Sequence, residues 1–263
     1  MADFGLFGPG CVAWRLHRHP AMLVGGVRAL MIQALHPLAM AGVANHSRYR
    51  EDVWGRFYRS ADYVTATVFG DTATAEAAGR KVRAVHRSIR GVDGVTGRPY
   101  AADDPHLLVW VHACLVDSFL VAYRRYVAPL SRADGDRYLR EMVRQAELAA
   151  TPPELVPATE PDLADYLLGM EPELLLTDAA RQGMDILLHP PDPPRHWPIA
   201  IRAALAVMPR RHLERYAIRQ SPLVSAAVTP VVWAGSRALP ALAGTPPVVA
   251  AARDRALAAG QRF

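Results

Sequence analysis

The chain has 263 residues, of which 51% are hydrophobic and 21% are charged, a composition and length that exclude a disordered chain and suffice for one domain with its own core. The net charge of +5 comes from basic residues spread along the chain, so we expect no nucleic-acid partner. Cys11 and Cys114 fit neither a zinc spacing nor a disulfide framework, so we expect free thiols in a reducing, cytoplasmic compartment.

Helical periodicity dominates the sequence. Apolar residues recur about every 3.6 positions and few stretches alternate apolar with polar residues, which predicts an all-α fold. The chain is expected to form a single globular multi-helix domain over 1–263, with a core over about 10–239 and a C-terminal tail over 240–263. In chain order, helices are predicted over 15–35 with an interruption at Pro20, 50–69, 71–90, 105–126, 132–149, 162–170 and 173–188. We predict a loop over 91–102, an extended linker over 189–194, and further helices with breaks at Pro209, Pro222, Pro230 and Pro240.

Short local signals mark several of the helix ends. Pro37 predicts a bend directly after His36, because proline lacks the N–H that would continue a preceding helix. We expect Asp71 to cap the helix that follows it, and Asp104-Pro105 is the most strongly specified helix start in the chain. The pair at 46–47 also has the form of a helix start, in which Ser47 would cap and His46 would pack.

Neither of the two longest stretches without formal charge has the composition of a membrane span. Residues 29–47 include two histidines and an asparagine, and residues 220–236 include two prolines, whereas a span needs roughly 20 predominantly apolar residues. The first residues also lack the basic region of a signal peptide. Peripheral docking of the C-terminal segment on a membrane surface is left open.

His112 lies in the middle of an apolar helical stripe. Leu108, His112, Leu115 or Val116, and Phe119 follow the spacing of one helix face, so we expect the imidazole to be buried. Its Nδ1–H could reach the carbonyl of Leu108, which would leave Nε2 free to bind a metal. A core histidine satisfied by backbone or by a neighbouring helix is the commoner explanation of such a position.

A second histidine, His86, lies at the edge of the preceding predicted helix. The apolar face of that helix is expected to comprise Val82, Val85 and Ile89. Arg83 lies one turn before His86, and Arg87 directly follows it. A histidine among arginines would suit haem, which presents an open iron position and two carboxylates. A solvated basic face is the alternative explanation.

Other catalytic signatures are missing from the sequence. It contains no HExxH, GxSxG, Walker or GxGxxG motif. Acidic residues do not cluster with the interior histidines, which argues against an iron site built from two histidines and one carboxylate. The candidate chemistry therefore needs an organic cofactor that holds its own metal.

Two parts of the chain carry recognisable signatures. The first is GGVRALMIQALHP at 25–37, followed by AGVANHS at 41–47. The second is VRAVHRSIRG at 82–91, followed by YAADDP at 100–105 and LVWVHA at 108–113. Their order and spacing resemble those of the rubber oxygenase catalytic domain family, which includes latex clearing protein and the MpaB oxygenases. The resemblance extends over roughly 10–239 of the chain.

This resemblance implies an all-helical fold that binds one haem b through a proximal histidine and uses dioxygen as co-substrate. His112 matches the Trp-Val-His position taken for the proximal iron ligand. His86 would then be the distal residue, where latex clearing protein can carry a lysine, so both histidines are candidate metal ligands. His86 and Arg83 are the candidate catalytic residues, since they could orient dioxygen or stabilise a developing negative charge. The candidate haem-binding residues are His112, His86, Arg83 and Arg87.

The implied function is that of a haem b-dependent oxygenase acting on a small apolar organic substrate. The residue at the distal position and the lack of a secretion signal depart from the pattern of polyisoprene-cleaving members. His36 is expected to brace the pocket rather than to line it. The alternative function is a non-enzymatic haem-binding or membrane-peripheral protein, serving sensing, storage or transport.

Overall fold

The computed structural model describes residues 2–243 and 245–262. These residues form thirteen α-helices and one two-stranded sheet, which confirms the all-α fold class. The helices are α1 Val12–His17, α2 Met22–Gln33, α3 Pro37–His46, α4 Val53–Phe69, α5 Thr72–Ser88, α6 Pro105–Tyr126, α7 Arg132–Leu148, α8 Glu160–Gly169, α9 Asp178–Leu188, α10 Trp197–Ala206, α11 Arg210–Arg215, α12 Pro222–Ala243 and α13 Pro247–Ala258. The strands are β1 Arg90–Val92 and β2 Pro99–Ala101, and short 3₁₀ helices occur at Pro153–Leu155 and Glu171–Glu173.

The local signals read from the sequence explain where several helices begin. The carboxylate of Asp71 accepts a hydrogen bond from the N–H of Thr74 at 2.9 Å, and α5 follows. Asp104 caps α6 through the N–H of His106 at 2.9 Å, with proline in the first turn. These side-chain oxygens satisfy N–H groups that a helix start leaves without partners. Pro37 begins α3, which is bent by 103° from α2.

The segment predicted as a loop after α5 contains a β-hairpin instead. β1 and β2 pair antiparallel, with Arg90 opposite Ala101 and Val92 opposite Pro99. The buried carboxylate of Asp93 accepts hydrogen bonds from the N–H and hydroxyl of Thr96 at 2.9 and 2.6 Å, which closes the turn. Two three-residue strands give too few alternating positions to be recognised in sequence. The hairpin also ends α5 at Ser88 rather than at residue 90.

Two further predictions of helix boundaries were wrong. α12 continues through Pro230 and Pro240, where we expected breaks, since a helix can absorb a proline by bending locally. α9 begins at Asp178 rather than at residue 173. The residues between are extended, and the N–H of Leu175 donates to the carbonyl of Leu35 at 2.8 Å, a long-range contact that competes with helix formation.

Helix α6 runs through the core of the fold. It packs most extensively against α2, where a Cβ on Gly25 would lie 2.7 Å from the ring of Phe119. Among the described residues, α6 is the one helix long and apolar enough to cross a membrane, and α2 and α3 would qualify together as a bent pair. Because 72% of the apolar window of α6 is buried inside the fold, its hydrophobicity is explained by its place in the core.

A buried ion pair also joins α2 to α6. The guanidinium of Arg28 donates to Asp117 Oδ2 and Ser118 Oγ, each at 2.7 Å, and to the carbonyl of Val207 at 3.0 Å. Arg28 is almost fully buried. A buried guanidinium with three acceptors fixes the relative position of the elements that supply them.

Candidate functional site

His112 occupies the buried stripe that the sequence predicts. Its relative exposure is 8%, and Leu108, Val116 and Phe119 on the same face are buried with it. Leu115 is only half-buried, so Val116 is the member of the stripe at that turn. The expectation that α6 places an imidazole among apolar side chains is therefore confirmed.

The imidazole of His112 is neutral and has no hydrogen-bond partner among the described residues. The hydrogen bond that we expected from His112 Nδ1–H to the carbonyl of Leu108 is not formed. Burial lowers the pKa of His112 to about 4, so the ring is uncharged at neutral pH. A neutral imidazole without a hydrogen-bond partner has a lone pair that can bind a metal ion.

His86 on α5 also has a ring nitrogen without a hydrogen-bond partner. The residue is half-buried, and its Nδ1 is buried without a hydrogen-bond partner. Burial and then the positive charge of Arg56 lower the pKa of His86, whereas Asp103 raises it. His86 is therefore a second neutral imidazole with an unpartnered nitrogen.

Arg56 on α4 is a residue that the sequence analysis missed. Its Nη1 donates to the hydroxyl of Ser60, one turn along the same helix, and no carboxylate among the described residues pairs with it. Burial, followed by the charge of Arg59, lowers the pKa of Arg56. A largely desolvated cation without a counter-ion favours an anionic ligand. The i, i+4 spacing of Arg56 and Ser60 is visible in the sequence, but this spacing indicates no particular function.

Neither arginine that we expected beside His86, Arg83 or Arg87, forms a hydrogen bond or ion pair with it in the described structure. Arg83 Nη1 donates to the carbonyl of Leu148 at 2.6 Å, at the C-terminal end of α7. Arg87 is exposed and forms no ion pair with the described residues. Val85, expected on an apolar face, is also exposed, because α5 turns Ala75 and Gly79 inward. The roles of Arg83 and Arg87 at a cofactor stay predictions.

No hydrogen bond or ion pair between described residues joins His86 to His112. α5 packs mainly on α4 and α7, whereas α6 packs mainly on α2. Two cavities of about 300 and 320 Å³ have neither histidine in their walls. The larger is lined by residues that include Arg28, Trp110 and Asp117. Ligation of one iron by both histidines therefore stays a prediction.

The types of side chain present, taken without a shared cavity, are compatible with haem binding. Two neutral imidazoles, His112 and His86, have ring nitrogens without hydrogen-bond partners in the described structure. Arg56, next to His86, has a positive charge that a propionate could neutralise. An iron porphyrin has both an iron ion that imidazole nitrogens can bind and propionates that can pair with an arginine.

A second cluster forms where three segments meet. His36 precedes α3, His106 lies in the first turn of α6, and Glu173 ends the second 3₁₀ helix. His36 is fully buried, and its Nδ1 accepts a hydrogen bond from the N–H of Ala39 at 3.4 Å. The side chain thus caps α3, and its bracing of a pocket stays a prediction.

Glu173 faces both histidines of this cluster. Its Oε2 lies 3.7 Å from Nε2 of His36, and its Oε1 lies 3.1 Å from Nε2 of His106. Arg98 Nη1 lies 3.4 Å from the same Oε2. The prediction that acidic residues do not cluster with interior histidines was therefore wrong. The fold brings Glu173 to His36 and His106 from a distant part of the chain.

His46 also differs from its prediction. It is the last residue of α3, and Ser47 follows the helix in an extended conformation, so the pair forms a helix end rather than a start. The reason is that α3 already begins at Pro37. The hydroxyl of Tyr100 lies 3.2 Å from His46 Nε2 and accepts a hydrogen bond from Asn45 Nδ2 at 2.9 Å. These contacts tie the end of α3 to β2.

Comparison with known proteins gives one match. Residues 14–242 match the model of the family described as ER-bound oxygenase mpaB/B′/rubber oxygenase, catalytic domain. No curated protein and no solved structure was found to match the chain significantly. The family match includes α2, α5 and α6, on which the two sequence signatures lie.

Proposed function

Since the chain belongs to the family of ER-bound mpaB/B′ oxygenases and rubber oxygenases, we propose that it is a haem b-dependent oxygenase. In this proposal it uses dioxygen to oxidise a small apolar organic substrate. The observation that carries the proposal is the imidazole of His112, which is neutral, buried in an apolar stripe and without a partner in the described structure. Such a nitrogen is suited to an axial iron ligand.

His112 is the proposed proximal ligand, and the apolar residues around it are proposed to limit the access of water. When bound, haem supplies an iron that takes up dioxygen and exchanges electrons with it. Leu108 and Val116 flank His112 on α6 and are buried. Their burial would limit solvent access to a metal held by His112 and so would tune the potential of that metal.

His86 and Arg56 are the proposed polar side of the pocket. The low pKa of His86 keeps its imidazole neutral, so one ring nitrogen carries a proton that it can donate in a hydrogen bond to an oxygen atom. Arg56 keeps its positive charge and stabilises an anionic group nearby, either a propionate or a developing oxyanion. Arg83 and Arg87 are proposed as outer members of this set, with Arg83 holding α5 against α7 through Leu148.

Haem content and dioxygen uptake test the proposal together. The wild-type chain, expressed with haem precursor, should retain about one haem per chain, and His112→Ala should retain little. His46→Ala is the matched control, because His46 lies at a helix end and contacts Tyr100 instead. A wild-type protein that is purified without haem contradicts the proposal.

Dioxygen consumption separates the oxygenase from the non-enzymatic alternative. Haem-loaded protein given a reductant and an apolar substrate should consume dioxygen, and His86→Ala should lower the rate while leaving haem bound. Retention of haem without substrate-dependent uptake would favour sensing, storage or transport instead.

A separate observation favours contact with a membrane surface. Helix α12 exposes a set of large apolar side chains, Leu223, Val224, Val231 and Trp233. Leu223 is 81% exposed and Trp233 is 47% exposed. The guanidinium of Arg237 lies 3.7 Å from the ring centroid of Trp233, and α12 contains no acidic residue. Apolar, aromatic and basic side chains on one helix are typical of peripheral membrane binding.

We therefore propose that α12 docks on anionic lipid. Co-sedimentation should show binding to phosphatidylserine-containing vesicles, weaker binding to neutral vesicles, and loss of binding in Trp233→Glu. Leu257→Glu on α13 is the control, because Leu257 is also an exposed leucine. Equal sedimentation of wild type and Trp233→Glu would contradict the proposal. A dimer in gel filtration that Trp233→Glu dissociates would assign the face to a second copy of the chain.

A further inference from the structure

We propose that His36, His106 and Glu173 form a binding site for one Zn²⁺ ion, separate from the proposed haem pocket. Each residue offers one ligand atom, and these atoms all lie within 4.8 Å of one another. Two imidazole nitrogens and one carboxylate oxygen form a set that zinc commonly takes in proteins, with a solvent molecule in the fourth position.

The distances within the cluster suit a tetrahedral ion. Ligand atoms about 2.0 to 2.1 Å from zinc lie about 3.3 to 3.4 Å apart at tetrahedral angles. The carboxylate oxygens of Glu173 lie 3.7 Å from His36 Nε2 and 3.1 Å from His106 Nε2. Each separation involves a different oxygen of Glu173, and each is within about 0.4 Å of the tetrahedral value. The ring centroids of the two histidines are 5.8 Å apart, so both can face one ion after small side-chain rotations.

His36 provides the independent sign that a ligand belongs here. Its ring is fully buried, its Nε2 has no hydrogen-bond partner, and this atom faces the carboxylate of Glu173. Leaving such an atom unpaired is unfavourable by about 1 to 3 kcal/mol. A zinc ion would give Nε2 the partner that it lacks.

The protonation states are compatible with ligation. Burial lowers the pKa of His36 to about 4, although the charge of Glu173 raises it, so the ring is neutral at pH 7. With Nδ1 accepting from Ala39 N–H, the free ring carries its proton on Nε2. Zinc binding would move this proton to Nδ1 and give up the long 3.4 Å bond from Ala39. No net proton leaves His36 in this step.

The positive charge of Arg98 opposes the ion. Its Nη1 lies 3.4 Å from Glu173 Oε2, and its side chain is more than half exposed. An exposed arginine can move into solvent at little cost, because a surface ion pair contributes only about 0 to 1 kcal/mol. The other oxygen of Glu173 is already directed at His106.

A zinc ion here would join three separate segments. It would connect the residue that caps α3, the first turn of α6 and the 3₁₀ helix that precedes α9. The side chains of His106 and Glu173 are partly exposed, so the fourth position faces solvent. The main expected consequence is a more stable anchorage for the N-terminal end of α6, six residues before His112.

The test uses the full-length chain without a histidine tag, purified as it is expressed. After removal of metal with a chelator, one equivalent of Zn²⁺ should be retained through gel filtration. At a free concentration of about 100 times the dissociation constant, Zn²⁺ should raise Tm by about 5 °C or more. His106→Ala and Glu173→Gln should each weaken zinc binding at least about 100-fold, since loss of an outer-shell partner alone weakens binding about 10- to 100-fold.

His189→Ala is the matched control. His189 forms a 3.0 Å pair with Asp185 on the exposed surface of α9, and its removal should leave zinc binding unchanged. The proposal is overturned if the wild type retains no zinc, or if His106→Ala and Glu173→Gln bind it as the wild type does. Preferential retention of Fe²⁺ would overturn the choice of metal. Haem content is measured independently in the same samples, so failure of this site is distinguishable from failure of the proposed oxygenase.

Discussion

Arg56 on α4 lies close enough to His86 on α5 for its positive charge to lower the pKa of that imidazole. Both side chains are half-buried, and Arg56 pairs with no carboxylate among the described residues. The carboxylate that acts on His86, Asp103, is itself paired with Arg90 at 2.7 Å. In the proposed function, a haem propionate would be the counter-ion of Arg56, so Arg56 provides a test of where the cofactor lies.

Replacement of Arg56 should weaken haem binding and raise the pKa of His86. A charged hydrogen bond contributes about 1.5 to 3 kcal/mol, so Arg56→Gln should speed haem loss by roughly 10- to 100-fold, measured by transfer to an acceptor globin. The His86 pKa is followed by NMR titration. Arg59→Gln is the control, because Arg59 is exposed and paired with Asp52. If both variants lose haem at the wild-type rate, Arg56 has no part in the pocket.

The haem-free protein should become less stable as the pH falls below 6.5. Burial lowers the pKa of His36 and of His112 to about 4 from an ordinary value of 6.5. Between these values the unfolded chain binds more protons than the folded chain, so the free energy of unfolding decreases with falling pH. Each histidine contributes up to about 1.4 kcal/mol per pH unit. Urea denaturation at pH 7 and pH 5 measures the effect.

His112→Phe should remove its share of this pH dependence, because phenylalanine does not titrate. His189→Phe should leave the dependence unchanged, since His189 is exposed. An identical slope in wild type and His112→Phe would show that the imidazole of His112 is not buried in its neutral form.

Gly25 and Gly26 should respond in opposite directions to alanine. A Cβ at Gly25 would lie 2.7 Å from the ring of Phe119 and 3.0 Å from the carbonyl of Ser118, whereas a Cβ at Gly26 meets nothing within 4 Å. Gly25→Ala should lower the free energy of unfolding by about 1 to 3 kcal/mol. Gly26→Ala should raise it by up to about 1 kcal/mol. Chemical denaturation checks both, and equal effects would contradict the close approach of α2 and α6.

Loss of the buried Arg28 should destabilise the whole fold. Arg28→Met would leave Asp117 without its partner at 2.7 Å, and breaking a buried pair costs about 3 to 5 kcal/mol. Tm should fall by about 10 °C. Arg253→Met is the control, because its pair with Asp254 is exposed. A fall in Tm no larger than that of the control would refute a stabilising role for the Arg28 ion pair.

The sequence predicts best those features that short-range chemistry determines. Asp104 and Pro105 specify the start of α6 through one carboxylate and one missing N–H, so both ends of that helix were predicted to the residue. The burial of His112 follows from its spacing to Leu108 and Phe119 on one helix face. Neither prediction needs any knowledge of the rest of the chain.

Features that depend on tertiary contacts were not predictable in this way. Glu173 reaches His36 and His106 only because a 3₁₀ helix and an extended segment carry it across the starts of α3 and α6. The desolvation of Arg56 depends in the same way on the packing of α4 against α5. The periodicity of apolar residues within one segment does not predict contacts between distant segments.

The proposed ligation of haem by His112 is tested most directly by absorption spectra of the ferric and ferrous protein. Wild type and His112→Gly are compared, with and without added imidazole. We predict a Soret band in the wild type, its loss in His112→Gly, and its return when imidazole occupies the space left by the side chain. A colourless wild type, or a His112→Gly variant that keeps haem with an unchanged spectrum, would contradict the account.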